Sequence, residues 1–378
     1  MRGAVLAGAG SVPPTKRPDP SLTIDRLLAN AIRLALADAG LELSDVSGLG
    51  VSSFGLFPDR AIDLAWKLGL RLTWTMDEPI SMTMFQHAVH TIECGAADVI
   101  VLVGGDALMR GDFGRMAENY NRVTAEDLSP LPAHGPNGVF ALVTQAHMAH
   151  YGLTREDYGR VVQSQRRWAG TNELAIYRSE LTIGDYLNAP VVADPLTILD
   201  CPPLVAGAEA VVLTGADRDK GSSVRILSLG TSYNHDNQLG PGWPTGIATF
   251  ADELWNAAGL SPADVDFAQV YDDYPVIVLA QLEDLGLIEN GDASRLLDPA
   301  SEGFLPVNTS GGVLTCGQAG AGASIHALVE AVKQLRGQRR ESGIDDPEFG
   351  VVGGYGMVLY RYAANGMATV LRAPGSHT

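Results

Sequence analysis

Apolar positions along the chain gather into short runs that read as buried strands, and the longer mixed stretches between them read as helices. The opening run AVLAGAG breaks at Gly8-Ala9-Gly10 and Pro13-Pro14, which predicts a first buried strand rather than a secretory leader. Helices are expected over Thr23–Ala39 and Gly246–Ala258, each followed by a strand, Gly48–Phe54 and Phe267–Val270. These stretches repeat one another. AGLELSDVSGLGVSS from Ala39 and AGLSPADVDFAQVYD from Ala258 share Ala-Gly-Leu, Asp-Val and a later Val in register. AVHTIECGAADVIVLVGGD from Ala88 is matched by AVKQLRG from Ala331 and EFGVVGGYG from Glu348, each a helix ending in Gly and then a strand ending in Gly-Gly. A single pair could reflect a common helix C-cap and strand lead-in. Two pairs in the same order predict a duplicated β-α-β unit with parallel strands.

The expected architecture is an α/β fold with two pseudo-repeated halves, residues 1–220 and 221–378, the first interrupted by an insertion at about Gly111–Pro195. The insertion holds the loop SPLPAHGPNG, a helix over Val139–His150, and a capping-box start at Thr154 and Asp157. Insertions of this kind usually cover a site. LDCPPLVAGAEAVVLTGA, Leu199–Ala216, returns to an apolar strand that closes the first half. WTMDEPISMTMFQHAVHTI, Trp74–Ile92, reads as a loop running into a helix.

Composition narrows the function classes. The 378 residues are 46% hydrophobic and 19% charged with 43 glycines, as in a compact α/β enzyme. Forty-four acidic side chains against 26 basic ones give a net charge of −18, which repels nucleic acid and anionic membranes. No apolar run is long enough to span a bilayer. Cys94, Cys201 and Cys316 are far apart and lack metal spacing, which suits a reducing cytoplasm. His87 and His90 share a helix face without a third ligand, so no metal is expected. The glycine-dense runs LVGGD and GGVLTCGQAGAGAS match no phosphate-binding motif and read as tight turns.

Four features together resemble the thiolase superfamily over nearly the whole chain. They are the repeat, VYDDYPVIVLAQLEDLGLIENGDA, LPVNTSGGVLTCGQAGAGASIHALVEAVKQLRG, and the terminal VVGGYGMVLYRY. Within the superfamily the chain is most similar to sterol-carrier-protein-type thiolases and to the lipid-transfer-protein-type aldolases of steroid side-chain degradation. The resemblance implies a five-layer fold with two central helices carrying the active site, a homodimer formed through the sheet edge, and acyl-coenzyme A substrates. It also implies a small OB-fold, zinc-ribbon partner, and hence a heterotetramer. Coenzyme A would enter as part of the substrate, with no covalently bound cofactor.

The departures are as informative as the matches. Thiolases place a nucleophilic cysteine at the start of the first central helix, where this chain has Glu78. The Gly-His-Pro histidine is replaced by Gln318, and the second family cysteine falls near Val351. In the remaining motif the chain reads Tyr271-Asp272-Asp273-Tyr274, with a tyrosine first, as the steroid retro-aldolases have. The tyrosine those aldolases carry in the loop matching GQAGAGAS is absent, and Tyr355 is the nearest substitute.

An aldolase that splits a β-hydroxyacyl thioester needs a base for the hydroxyl, donors for the enolate and an acid for the carbanion, but no acyl-enzyme. Tyr271, with Asp273 beside it, is the expected acid or base. A phenol ordinarily loses its proton near pH 10, and adjacent aspartates oppose ionisation unless one points away, which favours Tyr271 as an acid or donor. Gln318 and Ser310 could donate to the thioester or enolate oxygen. Gly311, Gly354 and Tyr274 are the expected substrate contacts. Plainer readings stay open: Asp77-Glu78-Pro79 as an ordinary helix start, with Glu78 as a proton carrier the alternative; Tyr-Asp-Asp-Tyr as a solvated strand cap; Tyr355 as a packed turn residue; Cys316 as a small buried side chain rather than a displaced nucleophile. A carbon-carbon lyase is the first expectation. An acyltransferase with a non-standard nucleophile and a catalytically inactive scaffold subunit are the competitors.

Overall fold

A computed structural model describes residues 3–375 apart from 57, 79, 119–120, 129, 132–134, 298, 301 and 340–342. Pro79 and part of the SPLPAHGPNG loop therefore lie outside the described residues. The first half runs β1 (Ala4–Thr15), α1 (Ile24–Ala39), β2 (Gly48–Ser52), α2 (Arg60–Leu68), β3 (Trp74–Asp77), α3 (Ser81–Glu93) and β4 (Val99–Ala107). The insertion follows as α4 (Phe113–Glu118), α5 (Pro136–Tyr151), α6 (Arg155–Thr171), α7 (Ile183–Leu187) and the ribbon β5 (Val191–Ala193) and β6 (Leu196–Thr197). Then come β7 (Ala206–Gly215), β8 (Val224–Tyr233), α8 (Ala251–Ala258), β9 (Phe267–Val270), α9 (Pro275–Asp284), α10 (Gly312–Cys316), α11 (Ala323–Leu335), β10 (Phe349–Val358) and β11 (Ala363–Arg372).

The sequence repeat is a structural one. Gly40 and Gly259 both take the left-handed conformation at a helix C-cap, φ 66° and 70°, and the next leucine N–H returns to the helix in each case. A short 3-10 turn follows, held by Asp45 Oδ2 accepting from Glu42 N–H at 2.9 Å and by Asp264 Oδ2 accepting from Ser261 N–H at 2.7 Å. The chain then enters β2 or β9. Strand order outward from the centre matches in the two halves, β1-β7-β4-β2 against β8-β11-β10-β9, with β3 an extra edge strand of the first half and β1 and β8 antiparallel at the centre. The parallel β-α-β pairing expected within each half holds for β2 with β4 and β9 with β10. The last strand of each half, β7 or β11, is antiparallel and inserts beside β4 or β10, so β1 does not touch β4. The stretch expected to be a loop before α3 contains an edge strand, β3, whose partner is β2.

Helices and sheet alternate in five layers, as the family resemblance implies. Leu27, Leu28, Ala31, Ile32, Ala35 and Leu36 on one face of α1 bury against Val101, Val103, Ala210 and Val212. On the opposite face, α3 and α11 pack together between the two halves of the sheet, joining Met84, Phe85 and Val89 with Ile325, Leu328 and Val332. The outer layer of the second half is α8 and α9, and the insertion adds Phe140, Val143, Tyr158 and Val161 to the same cluster. Each buried leucine or phenylalanine in these layers contributes about 1.5–3 kcal/mol. No helix among the described residues is long and apolar enough to cross a membrane.

Candidate active site

The ends of the two central helices, the end of β9, the β10 turn and the insertion enclose a cavity of about 590 Å³. Its wall is mostly apolar, with Ile80, Met82, Phe113, Phe140, Met357 and Val358 among the contributors. The polar side chains converge at one place.

β9 ends at Val270, and Pro275 opens α9, so Tyr271, Asp272 and Asp273 continue the strand's alternation, which Tyr274 breaks as the N-cap of α9. Tyr271 and Asp273 face the cavity, and Asp272 turns into the protein. The Tyr271 hydroxyl donates to Asp273 Oδ2 at 2.5 Å. Gln318 Nε2 donates to the same oxygen at 3.2 Å and to the Tyr271 hydroxyl at 3.3 Å. Asp273 Oδ1 has no hydrogen-bond partner among the described residues. Burial of this under-satisfied carboxyl, opposed by the Tyr271 hydrogen bond and reinforced by the charge of Asp272, pushes Asp273 up to about 7.

The triad is held from behind by backbone contacts. Gln281, fully buried on α9, accepts from Tyr271 N–H at 3.3 Å and donates to Tyr271 O at 2.7 Å. Gln318 is fixed by its N–H donating to Pro203 O at 2.8 Å and its carbonyl accepting from Val205 N–H at 3.1 Å. Asp272 accepts from Val313 N–H at 2.9 Å, Leu314 N–H at 3.0 Å and Gln165 Nε2 at 2.5 Å, capping α10 just upstream of Gln318. The aspartate of LVGGD, Asp106, accepts from Ser53, from the backbone of Phe54 and Gly55, and from Ala321 N–H, so it ties two cavity-lining loops together.

The other expected site residues divide. Tyr274 lines the cavity, stacks on Phe140 with ring centroids 4.6 Å apart, and donates to Asn137 Oδ1 at 2.6 Å. Gly354 lines it too, and a Cβ there would come within 3.1 Å of Met82, so glycine lets β10 approach the start of α3. Tyr355 contributes to the wall, but its hydroxyl is turned to backbone, accepting from Ala363 N–H at 3.2 Å, and burial raises its pKa. Ser310 and Gly311, expected at the substrate, are not lining residues. Ser310 Oγ instead lies 2.8 Å from His326 Nε2, in a buried chain that continues to Glu209, and Gly311 sits at φ 93° against α6 where a Cβ would strike Ala169. Glu78 also stands outside the cavity wall: α3 begins at Ser81, so Glu78 lies in the preceding link, half-buried, with burial raising its carboxyl.

Cys316 is buried, its thiol directed at Ser310 O at 3.6 Å, and it does not line this cavity. Cys201 does line it, although Cys201-Pro-Pro carried no signal beyond a structural turn. Burial, with Asp200 and Asp273 nearby, pushes that thiol up to about 12. The insertion supplies Asn137 and Phe140, and Lys16 and Tyr177 close another side with the lysine ammonium 2.7 Å from the phenol oxygen. None of these four was legible as a site residue: Asn137, Phe140 and Tyr177 lie in the insertion and Lys16 directly follows β1, and only tertiary packing brings them to one cavity. Among the described residues no three His, Cys, Asp or Glu side chains converge on a metal-sized site.

Comparison with known proteins agrees with this geometry. Residues 239–365 match the family model "Thiolase C-terminal domain-like". The chain is 32% identical over 342 residues to the 17-hydroxy-3-oxo-4-pregnene-20-carboxyl-CoA lyase of Mycobacterium tuberculosis, covering 82% of this chain and 86% of that protein. It is 29% identical over 363 residues to a steroid side-chain-cleaving aldolase of Thermomonospora curvata, covering 88% and 90%. Among solved structures, the Ltp2–ChsH2(DUF35) aldolase superposes with a TM-score of 0.81 at 26% identity and covers 99% of both chains. With this fold, this cavity at the central helix ends and these relatives, the chain belongs to the thiolase superfamily, in the sterol-carrier-protein-type branch that includes the steroid side-chain-cleaving aldolases.

Proposed function

We propose that the chain is a carbon-carbon lyase that cleaves the β-hydroxyacyl-coenzyme A thioester of a steroid-like or similarly bulky acyl chain by a retro-aldol reaction without an acyl-enzyme. The observation that carries this reading is the hydrogen-bonded Tyr271–Asp273–Gln318 group in a large apolar cavity where Cys201, the single thiol among the described lining residues, is held protonated. The substrate hydroxyl gives its proton to the Tyr271 oxygen as the Tyr271 proton passes to Asp273 Oδ2, so Tyr271 stays neutral throughout. The carbon-carbon bond breaks, its electron pair moves into the thioester as an enolate, and the former carbinol carbon leaves as a carbonyl. The enolate carbon then takes the proton back from Asp273 through Tyr271, and the balance closes. The start of α3, which faces the cavity through Ile80 and Met82, places the positive end of a helix dipole near the developing charge.

Coenzyme A enters as part of the substrate. Lys16 is the single lysine or arginine among the described lining residues, in a chain of net charge −18. A small OB-fold, zinc-ribbon partner supplying contacts to the coenzyme A phosphates fits this shortage, in line with the DUF35 component of the similar aldolase structure. A homodimer carrying two such partners, at work in the cytoplasm, completes the reading.

Asp273 must be ionised to receive the proton. With its carboxyl near 7, kcat/KM should fall about tenfold per pH unit below that value and level off above it. A profile flat from pH 5 to 8 with a non-sticky substrate removes Asp273 as the final acceptor. The competing acyl-transfer reading requires a thiol. Cys201→Ala and Cys316→Ala variants should each keep cleavage within about threefold of the parent, and iodoacetamide should leave turnover unaffected. A covalent acyl adduct on either sulfur, trapped during turnover and seen by mass spectrometry, would restore that reading. The test of the lyase itself is product identification: a free carbonyl compound and a shortened acyl-coenzyme A from one β-hydroxyacyl-coenzyme A.

A further inference from the structure

A retro-aldol site must offer a hydrogen-bond donor to the thioester oxygen as it becomes an enolate oxygen. In the described cavity wall most side-chain donors already have a protein acceptor. Tyr271 donates to Asp273, and Gln318 divides its amide hydrogens between Tyr271 and Asp273. Tyr274 donates to Asn137, and Ser324 to Ala321 O at 2.9 Å. Asn137 differs. Its Oδ1 receives the Tyr274 hydroxyl at 2.6 Å and faces the Cys201 thiol at 3.7 Å, two donors that orient the carboxamide oxygen toward the protein. Its Nδ2 is therefore turned the other way, with no hydrogen-bond partner among the described residues and without being sealed in the interior. The Tyr274 ring that sets this orientation is itself fixed by stacking on Phe140, and Asn137 sits in the first turn of α5, a rigid support.

We propose that Asn137, contributed by the insertion, is a catalytic residue that donates from Nδ2 to the thioester carbonyl oxygen and stabilises the enolate, with Tyr274 as its positioning residue. This rests on the lyase reading: once Tyr271 and Asp273 take the β-hydroxyl, the thioester oxygen needs another donor, and apart from Lys16 and Tyr177, which pair with each other at 2.7 Å, Asn137 is the uncharged side chain in the described wall whose amide hydrogens are both unspent. The electron pair of the broken bond ends on the oxygen that Asn137 faces, and no proton leaves the amide.

Enolate stabilisation can be read without the native acyl chain. The purified protein, with its partner where one co-purifies, is mixed with propionyl-coenzyme A in deuterium oxide, and α-hydrogen exchange is followed by mass spectrometry. The parent protein should exchange. Asn137→Ala should slow exchange and cleavage together by about 100-fold with little change in KM, the size of effect expected for one lost oxyanion donor. Asn137→Asp keeps an acceptor for the Tyr274 hydroxyl but loses both donors and adds like charge, so it should be at least as slow and guards against a trivial loss of folding in the alanine variant. Tyr274→Phe should slow exchange less, because the amide remains but is free to turn. Exchange in either Asn137 variant within about threefold of the parent overturns the inference while leaving the lyase reading intact. A parent protein that neither exchanges nor cleaves defeats the lyase reading itself.

Discussion

Asp273→Asn is expected to lower kcat by about 10³-fold and at the same time to make the protein more stable, by about 1 kcal/mol. The loss of rate follows from the relay: an amide cannot take the proton that Tyr271 passes on, and Tyr271 would then have to carry the negative charge itself. The gain in stability follows from the environment. Asp273 Oδ1 has no partner among the described residues, and burial raises the carboxyl to about 7, so the folded protein holds a proton there that the unfolded chain releases near pH 4. Folding stability linked to this group is therefore fully present below about pH 4 and declines as pH rises from about 4 to 7. The amide substitution removes that decline. Tyr271→Phe should lower kcat about as much as Asp273→Asn, and the double variant should be little worse than either single one, because the two residues act as one relay. Steady-state kinetics on the three variants, with thermal melts at pH 5 and pH 8, check both halves. An active Asp273→Asn protein, or additive losses in the double variant, would remove the relay from the mechanism.

The second large effect lies one residue away and has the opposite character. Asp272→Ala should cost about 3 kcal/mol or more of stability, since it strips the acceptor from Val313 N–H, Leu314 N–H and the Gln165 amide in a fully buried place. Gly312 packs against this carboxylate at φ 64°, where an added Cβ would come within 2.1 Å of Asp272 Oδ2, so the close fit of α10 on Asp272 requires glycine there. Because α10 leads directly to Gln318, the variant should lose activity along with its melting temperature. Asp272→Asn, which keeps one oxygen, should recover part of the stability. Denaturant titration of the three proteins decides it, and equal midpoints would show that Asp272 does not hold α10.

Adjacent aspartates thus have unlike roles, and that division shows how far the sequence could be read. Strand-end alternation already separates Tyr271 and Asp273 from Asp272, because side chains two residues apart share a side. What each aspartate meets was not legible: the partners of Asp272 lie 41 and 42 residues further along, and Gln318 reaches the Tyr271 hydroxyl across 47. Loop direction accounts for the residues that went elsewhere. Ser310 and Gly311 precede α10 in the glycine run, but the left-handed turn at Gly311 sends Ser310 toward His326 instead of the cavity. The register of α3 decided Glu78 in the same way, because the helix starts three residues later than its similarity to the family suggested.

By itself the sequence determined the duplicated α/β architecture, the absence of the thiolase thiol and histidine at the central helix starts, and the separation of Tyr271 and Asp273 from Asp272. All three depend on local rules, namely a glycine C-cap and its following turn, residue identity at a motif, and strand alternation, which act over a few residues. The tertiary structure alone decided which side chains complete the cavity. Asn137, Cys201, Gln318 and Tyr271 come from four separate segments, and their meeting depends on how the insertion packs its apolar face onto α9 and on backbone hydrogen bonds between Pro203, Val205 and Gln318. Those are long-range contacts whose energies depend on burial and mutual fit, quantities that no single segment of chain carries.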